Sequence, residues 1–266
     1  MAWNDATGDE LLYELNGHVA TITFNRPDHM NTITGPMLDL LSELLIKADN
    51  DTDVRCIILT GKGRAWCAGL DIREQSKGGG LSMGASPEIE MRSTPPIVLY
   101  GIDTPIVAAL NGGAAGYGLD IALGCDIRIA ARSAKLAFAF TKRGVLPESG
   151  GTWLLPRIVG RSLAAELMLT GRTLDADASL AAGLVSRIVD DADLGDVALA
   201  LANEIASNAP LATRAVKRML RAGEGEQFDA HVHHVFLQLL PLVKSKDFAE
   251  GVASYLERRP PVFTGK

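Results

Sequence analysis

An α/β fold is predicted by three features of the 266-residue chain. Short apolar runs of strand length recur through its first half. Glycine-rich turns follow several of these runs. From Ser162 onward the apolar residues fall at helical spacing instead.

Taken in order, Leu11 to Leu15 and His18 to Phe24 read as strands around Asn16-Gly17, a dipeptide suited to the positive-φ positions of a two-residue hairpin. Asn25-Arg26-Pro27-Asp28 ends the second strand. Met37 to Ala48 carries Leu38, Leu41, Leu44 and Leu45 at helical spacing, with Gly35-Pro36 marking the start. Cys56 to Leu59 reads as a buried strand, broken by Gly61-Lys62-Gly63 and followed by a loop of small residues, Ala65 to Ile72. Residues 75–96 read as a mobile loop entering a short helix. Pro105 to Leu110 is another strand, leading into NGGAAGYGLDIALGCDIRIAA at 111–131, where Leu119 to Gly124 read as a helix. Ile127 to Ala130 and Leu136 to Phe140 are further strands. Helices are predicted over Ser162 to Thr170, Asp175 to Ala182, Leu194 to Ser207, Pro210 to Arg221, Glu226 to Val243 and Asp247 to Glu257.

Composition narrows the function. With 47% hydrophobic and 22% charged residues, the chain can bury one large core. No apolar run reaches the roughly 18 residues of a membrane span. The first residues, MAWNDATGDELL, do not read as a secretory signal. Cys56, Cys67 and Cys125 form no C-x-x-C pair and read as reduced core thiols of a cytoplasmic protein. A net charge of −6 argues against non-specific nucleic-acid binding. His231, His233 and His234 lie close together, but no Cys or carboxylate completes a zinc set, so they read as a partly exposed helix face.

Chemistry is most legible at the glycine-rich turn. Residues 112, 113, 116 and 118 are glycines, so the backbone there can turn sharply and approach a ligand closely. The helix that follows presents unpaired N–H groups and the positive end of its dipole, a seat for developing negative charge. Asp120, three positions after Tyr117, can share a face of that first turn. Glu148 stands between Pro147 and a small-residue turn before the next helix, which restricts its motion.

These stretches resemble the crotonase, or enoyl-CoA hydratase/isomerase, superfamily from about Leu12 to Phe263. Its members carry an A-[FW]-[CS]-A-G-x-D-[LI] loop, matched by Ala65-Trp66-Cys67-Ala68-Gly69-Leu70-Asp71-Ile72. They also carry an N-G-x-[AC]-x-G-x-G helix start, matched by residues 111–118. The resemblance implies a ββα spiral core over residues 1–195 and a C-terminal helical region over 196–266 that drives trimers or hexamers. It implies an oxyanion hole for a coenzyme A thioester carbonyl, built from the N–H groups of Leu70 and Tyr117. Arg26, Ala68, Asp71, Ile72, Phe263 and Lys266 are implied contacts to the coenzyme A moiety. Asp120 occupies the position of one hydratase glutamate, and Glu148 that of the acidic base of the family's isomerases. The second hydratase glutamate corresponds to Phe140, which can neither hold a water nor donate a proton.

The implied activity is therefore enolate chemistry on an acyl-CoA substrate, with double-bond isomerisation favoured over hydration. Ring-epoxide isomerisation, dehalogenation of an aromatic acyl-CoA, and non-catalytic acyl-CoA or RNA binding are the alternatives. No metal, flavin or nicotinamide is implied, because an oxyanion hole and a carboxylate suffice; coenzyme A enters as part of the substrate.

Overall fold

Two sheets receive alternate strands of the chain. The computed structural model describes residues 9–71 and 94–266. The larger sheet has the order β1 (Leu11–Asn16), β2 (Val19–Phe24), β3 (Cys56–Gly61), β5 (Ile106–Leu110), β7 (Ile127–Ala131) and β10 (Arg187–Val189). Only the β1–β2 pair is antiparallel. The smaller sheet has the order β4 (Ala65–Cys67), β6 (Gly113–Ala115), β8 (Lys135–Ala137) and β9 (Thr173–Asp175). From β3 to β8, each strand in the large sheet is followed by one in the small sheet. The expected ββα rhythm is this repeated turn of a spiral.

The central strands read as continuous apolar runs because both their faces are covered. Ile57 and Leu59 point into a core that also holds Phe24, Trp66, Leu110, Leu119 and Phe138. Their neighbours Cys56 and Ile58 point the other way, under Leu194, Ala198 and Ala202 of a covering helix. Burying each large side chain contributes about 1.5–3 kcal/mol. Phe24 and Trp66 also meet edge to face, with centroids 5.3 Å apart.

The helices are α1 (Gly35–Asn50), α2 (Pro95–Gly101), α3 (Tyr117–Gly124), α4 (Gly151–Val159), α5 (Arg161–Thr170), α6 (Ala176–Ala181), α7 (Leu194–Ala206), α8 (Pro210–Gly223), α9 (Phe228–Leu242) and α10 (Lys246–Glu257). Thr34 caps α1, its hydroxyl accepting the Met37 N–H at 3.4 Å. The covering helix is α7, so residue 196 falls inside an element that packs on the large sheet. Beyond it, α9 has no buried residue, and Phe228, Phe236 and Leu240 are exposed.

Several elements differ from the sequence reading. The hairpin turn lies at Gly17-His18, since Asn16 pairs with Val19, and only Gly17 has positive φ. Ala65 to Cys67 is a strand because it pairs with β6. The strand expected over Leu136 to Phe140 stops at Ala137, and Phe140 instead caps a 3₁₀ turn. Helix α4 precedes the expected helical region; its two leading glycine positions and internal Pro156 disguise it. Much of the loop expected at 75–96 lies outside the described residues.

Candidate active site

The parallel pairing of β4 with β6 places the two recognised loops side by side. Ala68 to Asp71 leave β4 along an extended path beside Ile33. The Ile33 N–H donates to the Gly69 carbonyl at 2.8 Å, and the Asp71 N–H donates to the Ile33 carbonyl at 2.9 Å. That alternation turns the intervening Leu70 N–H to the opposite side. Gly69 has φ +95°, and a Cβ there would stand 2.8 Å from the Ala115 carbonyl oxygen and 3.4 Å from the Tyr117 nitrogen. Glycine thus allows the loop to lie against the start of α3. Neither the Leu70 N–H nor the Tyr117 N–H has a hydrogen-bond acceptor among the described residues.

A cavity of about 510 Å³ opens over these donors, walled by Leu70, Tyr117, Phe140, Val145, Leu146 and Glu148. A second lobe of about 420 Å³ also reaches Tyr117 and Glu148, and continues to Tyr100 and Trp153. Glu148 is therefore at the seam between the lobes. It is the single carboxylate among the described lining residues of either lobe.

Asp120 occupies a different position. It is fully buried in the first turn of α3, beneath the Glu148 turn, and lines neither lobe. Burial pushes its carboxyl up to about 7, and the nearby Glu148 charge adds to the rise, while the Ser149 and Gly151 amides oppose it. Only the Ser149 N–H reaches hydrogen-bonding geometry, donating to Oδ2 at 3.3 Å. Oδ1 has no hydrogen-bond partner among the described residues. A Cβ on Gly151 would come within 2.1 Å of that oxygen, so glycine is required for this approach. Burial raises the pKa of the Tyr117 phenol, which the neighbouring Ser149 side chain partly offsets.

The expected coenzyme A contacts are not assembled as one set. Arg26 is spent internally: Nη1 donates to the Thr32 carbonyl at 2.7 Å and to Asp71 Oδ2 at 3.1 Å, while Nε pairs with Glu10 at 3.0 Å. Arg26 and Asp71 thus answer each other's charge and pin the Leu70 loop. Ala68 lines the main cavity, but its N–H donates to the Met30 carbonyl at 3.1 Å. Ile72 lies outside the described residues. Phe263 and Lys266 are away from both lobes. Arg55, just before β3, donates to the Phe263 carbonyl at 2.8 Å, whereas the donors lie beyond the far ends of the parallel strands. The tail is tied down there: the Lys266 carbonyl accepts from Lys246 at 2.7 Å, and Asp247 accepts from Thr264 and Gly265.

Sequence reasoning missed Ser149, Tyr100 and Trp153, which are joined to the site only by folding. It also missed Asn31, whose buried amide donates to the Ala65 carbonyl at 2.7 Å and holds the approach to β4. All three cysteines are buried and free, their thiols each pushed up to about 12. His231 and His234 both contact Glu226, at 2.8 and 2.9 Å, and no metal-binding group of side chains occurs among the described residues. A third cavity, about 450 Å³ beneath α8, is remote from the donors, and its Lys217 is committed to Asp126 at 2.7 Å.

Two amides without acceptors among the described residues and one carboxylate border the same apolar cavity, an arrangement suited to an enzyme of acyl chemistry through an enolate-like charge. The sequence profile of the family described as Enoyl-CoA hydratase/isomerase matches residues 14–266. The chain belongs to that family, the crotonase superfamily, and its chemistry is that of acyl-CoA hydratases and isomerases. It is 37% identical to the 1,2-epoxyphenylacetyl-CoA isomerase of Escherichia coli, covering 96% of this chain and 98% of that protein. It is 35% identical to the (E)-benzylidenesuccinyl-CoA hydratase of Thauera aromatica, over 95% of this chain and 98% of that one. A crystal structure of the Bacillus anthracis enoyl-CoA hydratase superposes with a TM-score of 0.88 at 31% identity, covering 97% of this chain and all of the other. No described helix is long and apolar enough to cross a membrane.

Proposed function

We propose that this enzyme shifts the double bond of an enoyl-CoA by moving one proton between carbons. The thioester carbonyl oxygen accepts the Leu70 and Tyr117 N–H groups. The Glu148 carboxylate removes a proton from C2 of a 3-enoyl-CoA, and the electrons delocalise through the diene onto that oxygen. The same proton returns at C4, leaving a 2-enoyl-CoA and a regenerated carboxylate. Asp120, sealed beneath the turn, positions Glu148 rather than meeting substrate.

One observation carries this reading: Glu148 is the lone carboxylate among the described residues of the cavity wall, where Phe140, the position that the family resemblance matches to a hydratase's second acid, is also found. One base suffices to carry a proton between carbons, whereas water addition calls for a second group to hold the water. Two amides and a carboxylate supply the chemistry without metal, flavin or nicotinamide. In ²H₂O, Glu148→Gln should slow α-proton exchange by about 10²–10⁴-fold; unchanged exchange would refute the assignment.

Hydration is the second reading, supported by the closeness of Asp120 to Glu148 and its readiness to hold a proton near neutrality. Mass spectrometry after incubation with a short trans-2-enoyl-CoA separates the two, since only hydration adds one water. The exposed apolar face of α9 supports assembly into trimers or hexamers, a state that sedimentation would measure. The free thiols suit a cytoplasmic setting, and the net charge of −6 suits an acyl-CoA partner rather than nucleic acid.

A further inference from the structure

We propose that the lobe beyond Glu148 is an aryl subsite, so that the preferred acyl-CoA carries an aromatic ring on its acyl group. This rests on the reading that the thioester sits at Leu70 and Tyr117 with its reacting carbons beside Glu148. The acyl group then continues past Glu148 into the lobe formed by Pro96, Ile97, Tyr100, Trp153 and Leu154.

The aromatic wall of that lobe is built in advance. Tyr100 and Trp153 meet edge to face, with centroids 5.2 Å apart and planes at 85°. Each is packed against an arginine. The Arg157 guanidinium lies 3.7 Å from the Trp153 ring centroid and donates to the Trp153 carbonyl at 2.9 Å. Arg221 lies 5.7 Å from the Tyr100 ring and donates to the Tyr100 carbonyl at 2.6 Å. The Tyr100 hydroxyl donates to Glu224 at 3.3 Å, so its polar tip is engaged away from the lobe.

The indole of Trp153 nevertheless stays 38% exposed and lines the lobe, and among the described residues Tyr100 is the one ring packed against it. A flat ring entering there completes an aromatic cluster whose other members lose little freedom. A flexible alkyl chain of equal area gains no quadrupole contact and loses rotamer freedom on entry. A carboxylated acyl group is disfavoured, because the described lining holds Glu148 and no cation.

The test is calorimetric titration of the whole protein with two saturated, unreactive thioesters of equal acyl carbon count, 4-phenylbutanoyl-CoA and decanoyl-CoA. The aryl thioester should bind about five- to tenfold tighter. Trp153→Ala should bring that ratio close to one, and Trp153→Phe should restore most of it. Equal affinities in the unaltered protein, or a ratio that survives Trp153→Ala, would overturn the proposal. If decanoyl-CoA binds and 3-decenoyl-CoA is isomerised without aryl preference, the subsite fails while the isomerase reading stands. If neither thioester binds, both fall together.

Discussion

Replacing Asp120 with asparagine isolates the cost of a carboxyl buried beneath the Glu148 turn. Its pKa is raised from an ordinary 3.8 to about 7, mainly by burial. A raised value means that the folded protein holds the proton more tightly than the unfolded chain. The stability this contributes is complete below about pH 4 and is lost as pH rises towards 7. Between pH 5 and 8 the unfolded carboxyl is already ionised, whereas the folded one ionises only near the end of that range. Linkage then gives a loss of about 2–3 kcal/mol in the parent protein. Asparagine does not titrate, so Asp120→Asn should show no such loss. Urea unfolding of both proteins at pH 5 and pH 8 measures it. The stability difference should move by about 2–3 kcal/mol in favour of asparagine at the higher pH. A difference constant within about 0.5 kcal/mol would refute the claim that this carboxyl is neutral in the folded state near pH 6.

Gly151→Ala should cost about 1–3 kcal/mol in thermal or denaturant unfolding, because the added methyl meets Asp120 and Pro147 at 2.1 and 3.0 Å. The same variant should lose more kcat than its stability loss implies, since the displaced turn carries Glu148. Arg26→Met should remove the contacts that Arg26 makes to Asp71 and to the Thr32 carbonyl, and so loosen the Leu70 loop. We expect a tenfold or greater fall in kcat/KM with retained folding, checked by steady-state kinetics and circular dichroism. Arg128→Leu should destabilise by about 3 kcal/mol or more, because it strands carbonyls at the end of α3, as denaturant unfolding would show.

The fold was legible because its signals are local. The CIIL run of β3 and the IVAAL run of β5 are apolar on both faces, as central parallel strands must be. The helices from α5 onward announce themselves by spacing. Strand β4 was hidden because three residues carry no usable period, and its pairing with β6 spans a long stretch of chain. The turn at Gly17-His18 was displaced by one residue because the local dipeptide competes with the register set by Phe24 against Leu11. At the site, Leu70, Tyr117 and Glu148 were readable from motifs. Asp120 was readable as a carboxylate but not as a buried one, since burial depends on the later turn folding over it. Arg26 was readable as a cation at the implied coenzyme A contact, but its pairing with Asp71 was not, since that depends on folding across 45 residues.

The far end of α3 bears on the chemistry at its near end. Arg128 is half-buried beneath the helix terminus, donating to the Cys125 and Leu184 carbonyls at 2.6 Å and to Ala122 at 3.4 Å. Beside it, Asp126 is neutralised by Lys217, so the group carries one net positive charge. Eight residues of helix span about 12 Å. A unit charge at that range, through an effective dielectric near 20, lowers the energy of an oxyanion at the other end by about 1.4 kcal/mol. On the proposed function, that corresponds to about tenfold in rate from a cation that lines neither lobe. Salt screens such a half-buried charge less than it does a fully exposed lysine. On the proposed function, the helix is a two-ended electrostatic device, with amides at one pole and a half-buried guanidinium behind the other.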